Sequence, residues 1–366
     1  MTKENLYVDI NVLQTVPSSN INRDDSGAPK TAIYGGVVRS RVSSQSWKRA
    51  VRQAFHRDTE NQEWLASHRT KKIAQLLAEK IKEESEDFDD QAALDKALEI
   101  LKTAGIKTSK DKGSGDMLTG ALLLVSEGQL EKIAKYALNN DELDKKSLKE
   151  VFNNDQSLDL ALFGRMVADN PELNVDAATQ VAHAVSTHEI TPEFDYFTAL
   201  DDDQAADNMG SAMIGTIEYN SSTLYRYANI NVNELTKNLG SELAVKGVEL
   251  FIKDFVMSMP TGKQNTFANK TLPQYVMVTI RTDTPVNLVS AFEEPVKSRN
   301  GYVEPSIDRL EKEFSNTIQF VDEPLLTEVV TNRESKIAKE HITLNDLLNR
   351  VVETLGEEIA NDSTND

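Results

Sequence analysis

Apolar and polar residues alternate in several short stretches of the chain. In residues 6–13, Leu6, Val8, Ile10 and Val12 fall on one side, and Tyr7, Asp9 and Asn11 on the other. That period predicts a half-buried strand. Residues 224–232 (LYRYANINV) and 275–281 (YVMVTIR) alternate in the same way, with Val276, Val278 and Ile280 inward. VVRSRV, after Gly35 and Gly36, predicts a strand with Arg39 and Arg41 on one face. The intervening TVPSSNINRDDSGAPK is rich in Pro, Ser, Asn and Asp and predicts a loop.

Helical spacing appears next. Ser43 or Ser44 is suited to cap a helix, and Trp47, Val51 and Phe55 then recur every fourth residue as an apolar stripe. Residues 58–165 read as mostly helical and amphipathic, a helical insertion or second domain. Residues 191–224 suggest a long arm or hairpin, residues 233–259 one long helix, and residues 343–360 a final amphipathic helix. Strand, helix and strand in this order predict an α+β core of ferredoxin-like pattern.

Composition narrows the classes. A length of 366 residues suits two domains or one elaborated core with large insertions, and 39% apolar residues suffice for a core. With no cysteine, disulfides, thiolate metal sites and cysteine nucleophiles are excluded. The start lacks a secretory pattern and no apolar run reaches membrane length, so a cytoplasmic protein with no membrane contact is expected. A net charge of −19 argues against nucleic acid on average. The distribution argues otherwise. Residues 28–57 carry Lys30, Arg39, Arg41, Lys48, Arg49, Arg52 and Arg57 with no acid. Acids gather instead at Glu83–Asp90, at Asp201–Asp203 and in the carboxy-terminal tail, where they suit solvated faces. A capped helix start followed by Lys48, Arg49 and Arg52 suits an anion, because free backbone N–H groups and cations act together.

Motifs for nucleotide hydrolysis, dinucleotide binding, zinc proteolysis and the serine nucleophile elbow are absent. His183 and His188 stand five apart, a poor spacing for shared metal, and read better as core or capping residues. Asp24–Asp25 and Asp201–Asp203 read as solvated turns rather than magnesium ligands. No catalytic residue, metal or cofactor is expected.

A set of motifs in fixed order then carries a resemblance. NRDD at 22–25, YGG at 34–36 and RSRVSSQSWKRAVR at 39–52 are followed by GRM at 164–166, AHAVSTH at 182–188 and DYFTALDD at 195–202. YRYANIN at 225–231, PTGKQNT at 260–266 and AFEEPV at 291–296 complete it. Together these resemble the Cascade backbone subunit of type I-E CRISPR systems, the Cas-seven or CasC family. The likeness covers most of the chain and is weakest over 58–150 and after about residue 305.

The resemblance implies a modified RRM, or ferredoxin-like, palm with inserted helical fingers and a projecting thumb hairpin. It divides the chain into palm (1–57, 166–190 and 225–345), fingers (58–165), thumb (191–224) and a carboxy-terminal helix with acidic tail (346–366). It implies a non-catalytic subunit of an antiviral surveillance complex. Copies would stack head-to-tail along a CRISPR RNA, beside other Cascade subunits, and present the guide to target DNA. Such a protein must hold any guide sequence, so it should grip phosphates and leave base edges free. The residues suited to that grip are Arg23, Arg39, Arg41, Ser43, Gln45, Lys48, Arg49, Arg52, Arg165, Lys263 and Gln264. By the same resemblance Phe197 and Thr198 sit on the thumb and Met166 is a partnering wedge, against the plainer reading of core packing. Asn265 stands where another cation would strengthen the Lys263 loop. Two other classes compete: a metal-dependent endoribonuclease of the type III kind, using Asp24 or Asp25, and an acidic scaffold that binds protein only.

Overall fold

A computed structural model describes residues 5–364 except 59–61, 66, 141, 155, 168–169 and 200–212. The acids Asp201–Asp203 therefore lie outside the described residues. The first stretch forms β1 (Tyr7–Ser19), β2 (Thr31–Tyr34), β3 (Val37–Val42) and α1 (Ser44–Phe55). There follow α2 (Gln62–Leu65), β4 (Ser67–Thr70), α3 (Ile73–Glu84), α4 (Asp90–Thr103), β5 (Thr108–Lys110) and β6 (Met117–Thr119). Then come β7 (Leu123–Ser126), α5 (Glu127–Asn139), α6 (Lys145–Asn153), α7 (Leu158–Phe163), β8 (Thr179–Val181) and β9 (Ala184–Ser186). The chain continues through β10 (Glu193–Ala199), β11 (Met213–Asn231), α8 (Val232–Leu239), α9 (Ser241–Met257) and α10 (Gln264–Phe267). It closes with β12 (Tyr275–Arg281), α11 (Val303–Thr317), β13 (Leu326–Thr331) and α12 (Leu344–Thr364).

Two compact units result. One comprises Met1–Val51, Val181–Asn229 and Glu249–Asp366; the other comprises Arg52–Gln180 and Ile230–Val248. The first is the α+β unit, with strands in the order β13-β12-β1-β11-β9-β3-β2. Pairing is antiparallel and in register with the apolar pattern: Val8 faces Ile280, Ile10 faces Val278, and Val12 faces Val276. The half-buried reading of β1 is corrected here. The strand runs on to Ser19, and both of its faces are covered. Its polar positions alternate because they meet buried partners, not water. Tyr227 donates its hydroxyl to Asp9 Oδ1 at 2.6 Å, and Tyr225 donates to Asn11 Oδ1 at 2.7 Å. One face carries a core of Leu13, Tyr225, Tyr275, Phe292, Ile307 and Leu310.

Burial pushes the Asp9 carboxyl up to about 6, opposed by hydrogen bonds from Tyr227 and from the Val286 N–H. The folded state thus keeps a proton that the unfolded chain releases from about pH 3.8 upward. This group's stabilising contribution is full below that value and is lost as pH rises to about 6. Asp9→Asn is expected to remove that slope, worth about 3 kcal/mol over the whole window. Urea unfolding at pH 4.5 and pH 7.5 checks it, and equal pH dependence in both proteins would refute it.

The other unit is helical. Leu77, Ile81, Ala97, Ile100, Ile133, Leu148 and Phe152 from α3, α4, α5 and α6 form its core. Local chemistry sets the helix starts. Asp89 caps α4 through the Ala92 N–H, Asp144 caps α6 through the Ser147 N–H, and Ser126 with Gln129 forms a capping box on α5. Two small two-stranded sheets, β4 with β7 and the hairpin β5–β6, add strands to a region whose sequence predicts mostly helix. This unit also takes in residues beyond the 58–165 insertion. α8 and the first half of α9 pack into it, with Gly247 directly against Leu158. The single helix expected over 233–259 is two, because Gly240 adopts φ +80° between α8 and α9. All six acids of the 83–90 block are exposed.

Candidate nucleic-acid interface

Helix α1 follows from its sequence. Trp47, Val51 and Phe55 are buried, while Gln45 and Arg49, one turn apart, are exposed. Its first two N–H groups are not left open, contrary to the sequence reading. Ser43 N–H donates to Asn22 Oδ1 at 2.8 Å, and Ser44 N–H donates to His183 Nδ1 at 3.0 Å. The Ser43 carbonyl accepts from Ser46 and Trp47. Asn22 thereby fixes the first loop to the start of the helix.

A second loop is fixed to the first. A Cβ on Gly262 would lie 2.4 Å from the Ile21 carbonyl oxygen, so only glycine lets these backbones approach so closely. The residues after it are bent. Lys263 at φ 53° and Ala268 at φ 47° are the non-glycine residues with positive φ among those described. Such backbone persists where the surroundings enforce it, and it clusters at functional segments. Phe267 of α10 meets Tyr219 of β11, ring centroids 5.7 Å apart. Arg23, Ser43, Gln45, Lys263 and Gln264 are therefore carried on segments that hold one another in place. Arg41 stays with them: its backbone N–H donates to the Lys30 carbonyl at 2.9 Å, and its Nε donates to the Thr31 carbonyl at 3.0 Å. Lys30, counted in the basic run but not placed in the site, joins the same surface. Lys30, Arg41, Asn22, Ser40, Asn220 and Ser222 line a small recess of about 10 Å³.

Three predicted grip residues turn inward. Arg39 is fully buried and donates to the carbonyls of Tyr34 (3.1 Å), Ser186 (2.8 Å), Phe292 (2.8 Å) and Glu293 (3.3 Å). Arg52 donates to the buried Asp159 carboxylate at 2.9 Å and to the Ser67 carbonyl at 3.1 Å. Arg165 donates to the carbonyls of Leu173, Leu124 and Phe152 and to Asn153 Oδ1. The forks of Arg39 and Arg165 are filled by protein oxygens, and Arg52 is neutralised by a buried carboxylate. These three residues build the frame. Lys48 is half-buried, and burial depresses its ammonium. Arg226, not singled out from the sequence, lies under α1 with its guanidinium 3.8 Å from the Trp47 ring centre. It donates to Gln14 Oε1 at 2.6 Å, and burial lowers its pKa to about 9.

The resemblance makes Met166 a wedge and puts Phe197 and Thr198 on a thumb. Met166 is 81% exposed, which excludes the core-packing alternative for it, and the anchored Arg165 fixes the segment from which it projects. On the hairpin, Phe197 pairs with Gly215 and lies across it, half-buried; Thr198 is exposed. The opposite face carries Phe194 (66% exposed), Tyr196 (64%) and Ile214 (61%), which the sequence reading passed over. Period-two alternation through EFDYFTA was the available signal.

The metal readings find no geometry. Asp24 accepts from the N–H groups of Ser26 and Ala28 and from the Ser26 hydroxyl, which holds its carboxyl below the usual range. It is an exposed turn residue. His188 is buried and stacked on Tyr302 at 3.6 Å, whereas His183 is exposed beside α1. Among the described residues no group of three or more His, Asp or Glu is placed to hold a metal ion. Among them also, no helix is long and apolar enough to cross a membrane.

Comparison with known proteins bears on this arrangement. A family model described as CT1975-like protein matches residues 8–354. No curated protein matches the chain. Among solved structures, a chain of "CRISPR RNA-guided surveillance complex, pre-nicking" is 31% identical, with a TM-score of 0.84, over 95% of this chain and 100% of that one. A chain of "CRISPR RNA-guided surveillance complex" is 27% identical, with a TM-score of 0.74, over 95% and 99%.

Proposed function

Because the chain belongs to the CT1975-like protein family, we propose that it is an RNA-binding backbone subunit of a CRISPR RNA-guided surveillance complex. The observation that carries this reading is the surface formed by Arg23, Lys30, Arg41, Gln45, Arg49, Lys263 and Gln264, on a protein of net charge −19. Cations and amides on interlocked loops hold a ribose-phosphate chain without reading bases, so the sequence is read by pairing. The likeness to chains of surveillance complexes supports CRISPR RNA and further complex subunits as partners.

Placement in type I-E rests on the ordered motifs, RVSSQSWKRA foremost. Head-to-tail stacking of copies gives Phe194, Tyr196 and Ile214 an apolar role against a neighbour, since a heterologous contact propagates along a filament. Met166 and Phe197 then unstack a guide base at intervals, at a cost of roughly a few kcal/mol. The subunit is non-catalytic, presents the guide to target DNA and works in the cytoplasm, where guide and invading DNA meet. Asp24 uses Oδ1 to hold its own turn.

Co-expression with the other subunits and a guide array tests the reading. One discrete RNA of guide length should co-purify with the complex. Purification of the full complex without RNA would leave the protein-only scaffold. Regularly spaced Mg²⁺-dependent cuts in complementary RNA, abolished by Asp24→Ala or Asp25→Ala, would make it a nuclease.

A further inference from the structure

Resting on the RNA-binding reading above, we infer that His183 is a further phosphate-contacting residue, offering its Nε2–H to the RNA from the amino-terminal end of α1. Its Nδ1 accepts the Ser44 N–H at 3.0 Å. In a neutral imidazole one nitrogen accepts and the other carries the proton, so this bond places the proton on Nε2. The imidazole therefore passes a helix-terminal donor on to the surface: the backbone N–H is consumed, and a side-chain N–H appears beyond it. The residue is exposed.

The surroundings suit an anion and keep the ring neutral. Burial, then the charges of Arg41 and Lys30, hold the His183 pKa below its usual value. The charge of Arg41 acts on it from β3 and that of Lys30 from the segment leading into β2. Neither cation has a carboxylate partner among the described residues. A neutral donor near two cations adds one directed bond to a phosphate drawn by their charge, and only the two cations release counterions.

That last point supplies the test. Affinity for a fluorescent oligouridine and for a mixed-sequence RNA of the same length is measured from 50 to 300 mM salt on the full chain. His183→Ala is expected to lower both affinities by about 3–10-fold and to leave the slope against log salt unchanged. Arg49→Ala, by contrast, lowers the slope by about 0.7. His183→Asn restores an acceptor for Ser44 and guards against misfolding of the alanine variant; it should bind more weakly than wild type. In the ¹⁵N-histidine-labelled protein at pH 7.5, one neutral Nε2–H resonance, absent from the Asn variant, should move on adding RNA. Wild-type affinity in both variants, or a histidine spectrum indifferent to RNA, overturns the proposal. If Arg49→Ala also binds like wild type, the RNA-binding reading itself fails, which separates the two failures.

Discussion

Arg39→Leu is expected to cost about 3–5 kcal/mol of unfolding free energy, a large share of the stability of an ordinary domain. Arg39 is the frame residue that joins separate parts of the α+β unit. Its guanidinium satisfies carbonyls from the β2–β3 turn (Tyr34), from β9 (Ser186) and from the segment after Leu288 (Phe292 and Glu293). No carboxylate accompanies it, so removing it relieves no buried ion pair. It simply strands four buried or half-buried acceptors. Arg39→Lys restores one charge but not the planar fork, and should recover less than half of the loss. Guanidinium chloride titration of the isolated subunit gives both numbers. If Arg39→Leu unfolds like wild type but binds RNA poorly, then Arg39 is a ligand residue after all and the inward reading is wrong.

Combined replacement of Arg23, Arg49 and Lys263 by alanine is expected to lower RNA affinity on the order of 100-fold at 0.1 M salt, at about 1 kcal/mol per charge-assisted contact. The slope of log affinity against log salt should fall by about 2, since each phosphate contact on a single strand contributes about 0.7. The loss should be the same for any RNA sequence. None of the three forms part of the buried frame, so thermal stability should stay near wild type. Arg52→Ala makes the contrast. It leaves the Asp159 carboxylate buried without its cation, so it should destabilise the helical unit while leaving the salt slope alone. A triple variant that discriminates among RNA sequences would refute the backbone grip.

How the site divides between sequence and structure is visible in these arginines. From the chain alone Arg23, Arg39, Arg41, Arg49 and Arg52 are alike: five cations in or near a run without acids. What separates them is whether oxygen atoms from distant segments converge on the guanidinium. The carbonyls of Ser186 and Phe292 lie 147 and 253 residues from Arg39, and the Asp159 carboxylate lies 107 from Arg52. No local pattern reports that. The polar alternation of β1 misled for the same reason, since Asp9 and Asn11 meet tyrosines more than 200 residues away.

Local physics was enough for the rest. Periods of two and of about four residues are properties of a single segment, so β1, β12, α1 and α12 follow from the order of apolar side chains. Charge density is local too, and the acid-free basic run was legible against a net charge of −19. Only folding decided that the run splits into an outer grip and an inner frame, that Gly262 locks the Lys263 loop against Ile21, and that His183 meets Ser44. Each of those depends on atoms that the chain brings together across long separations, where free energy is set by desolvation and contact geometry rather than by neighbouring residues.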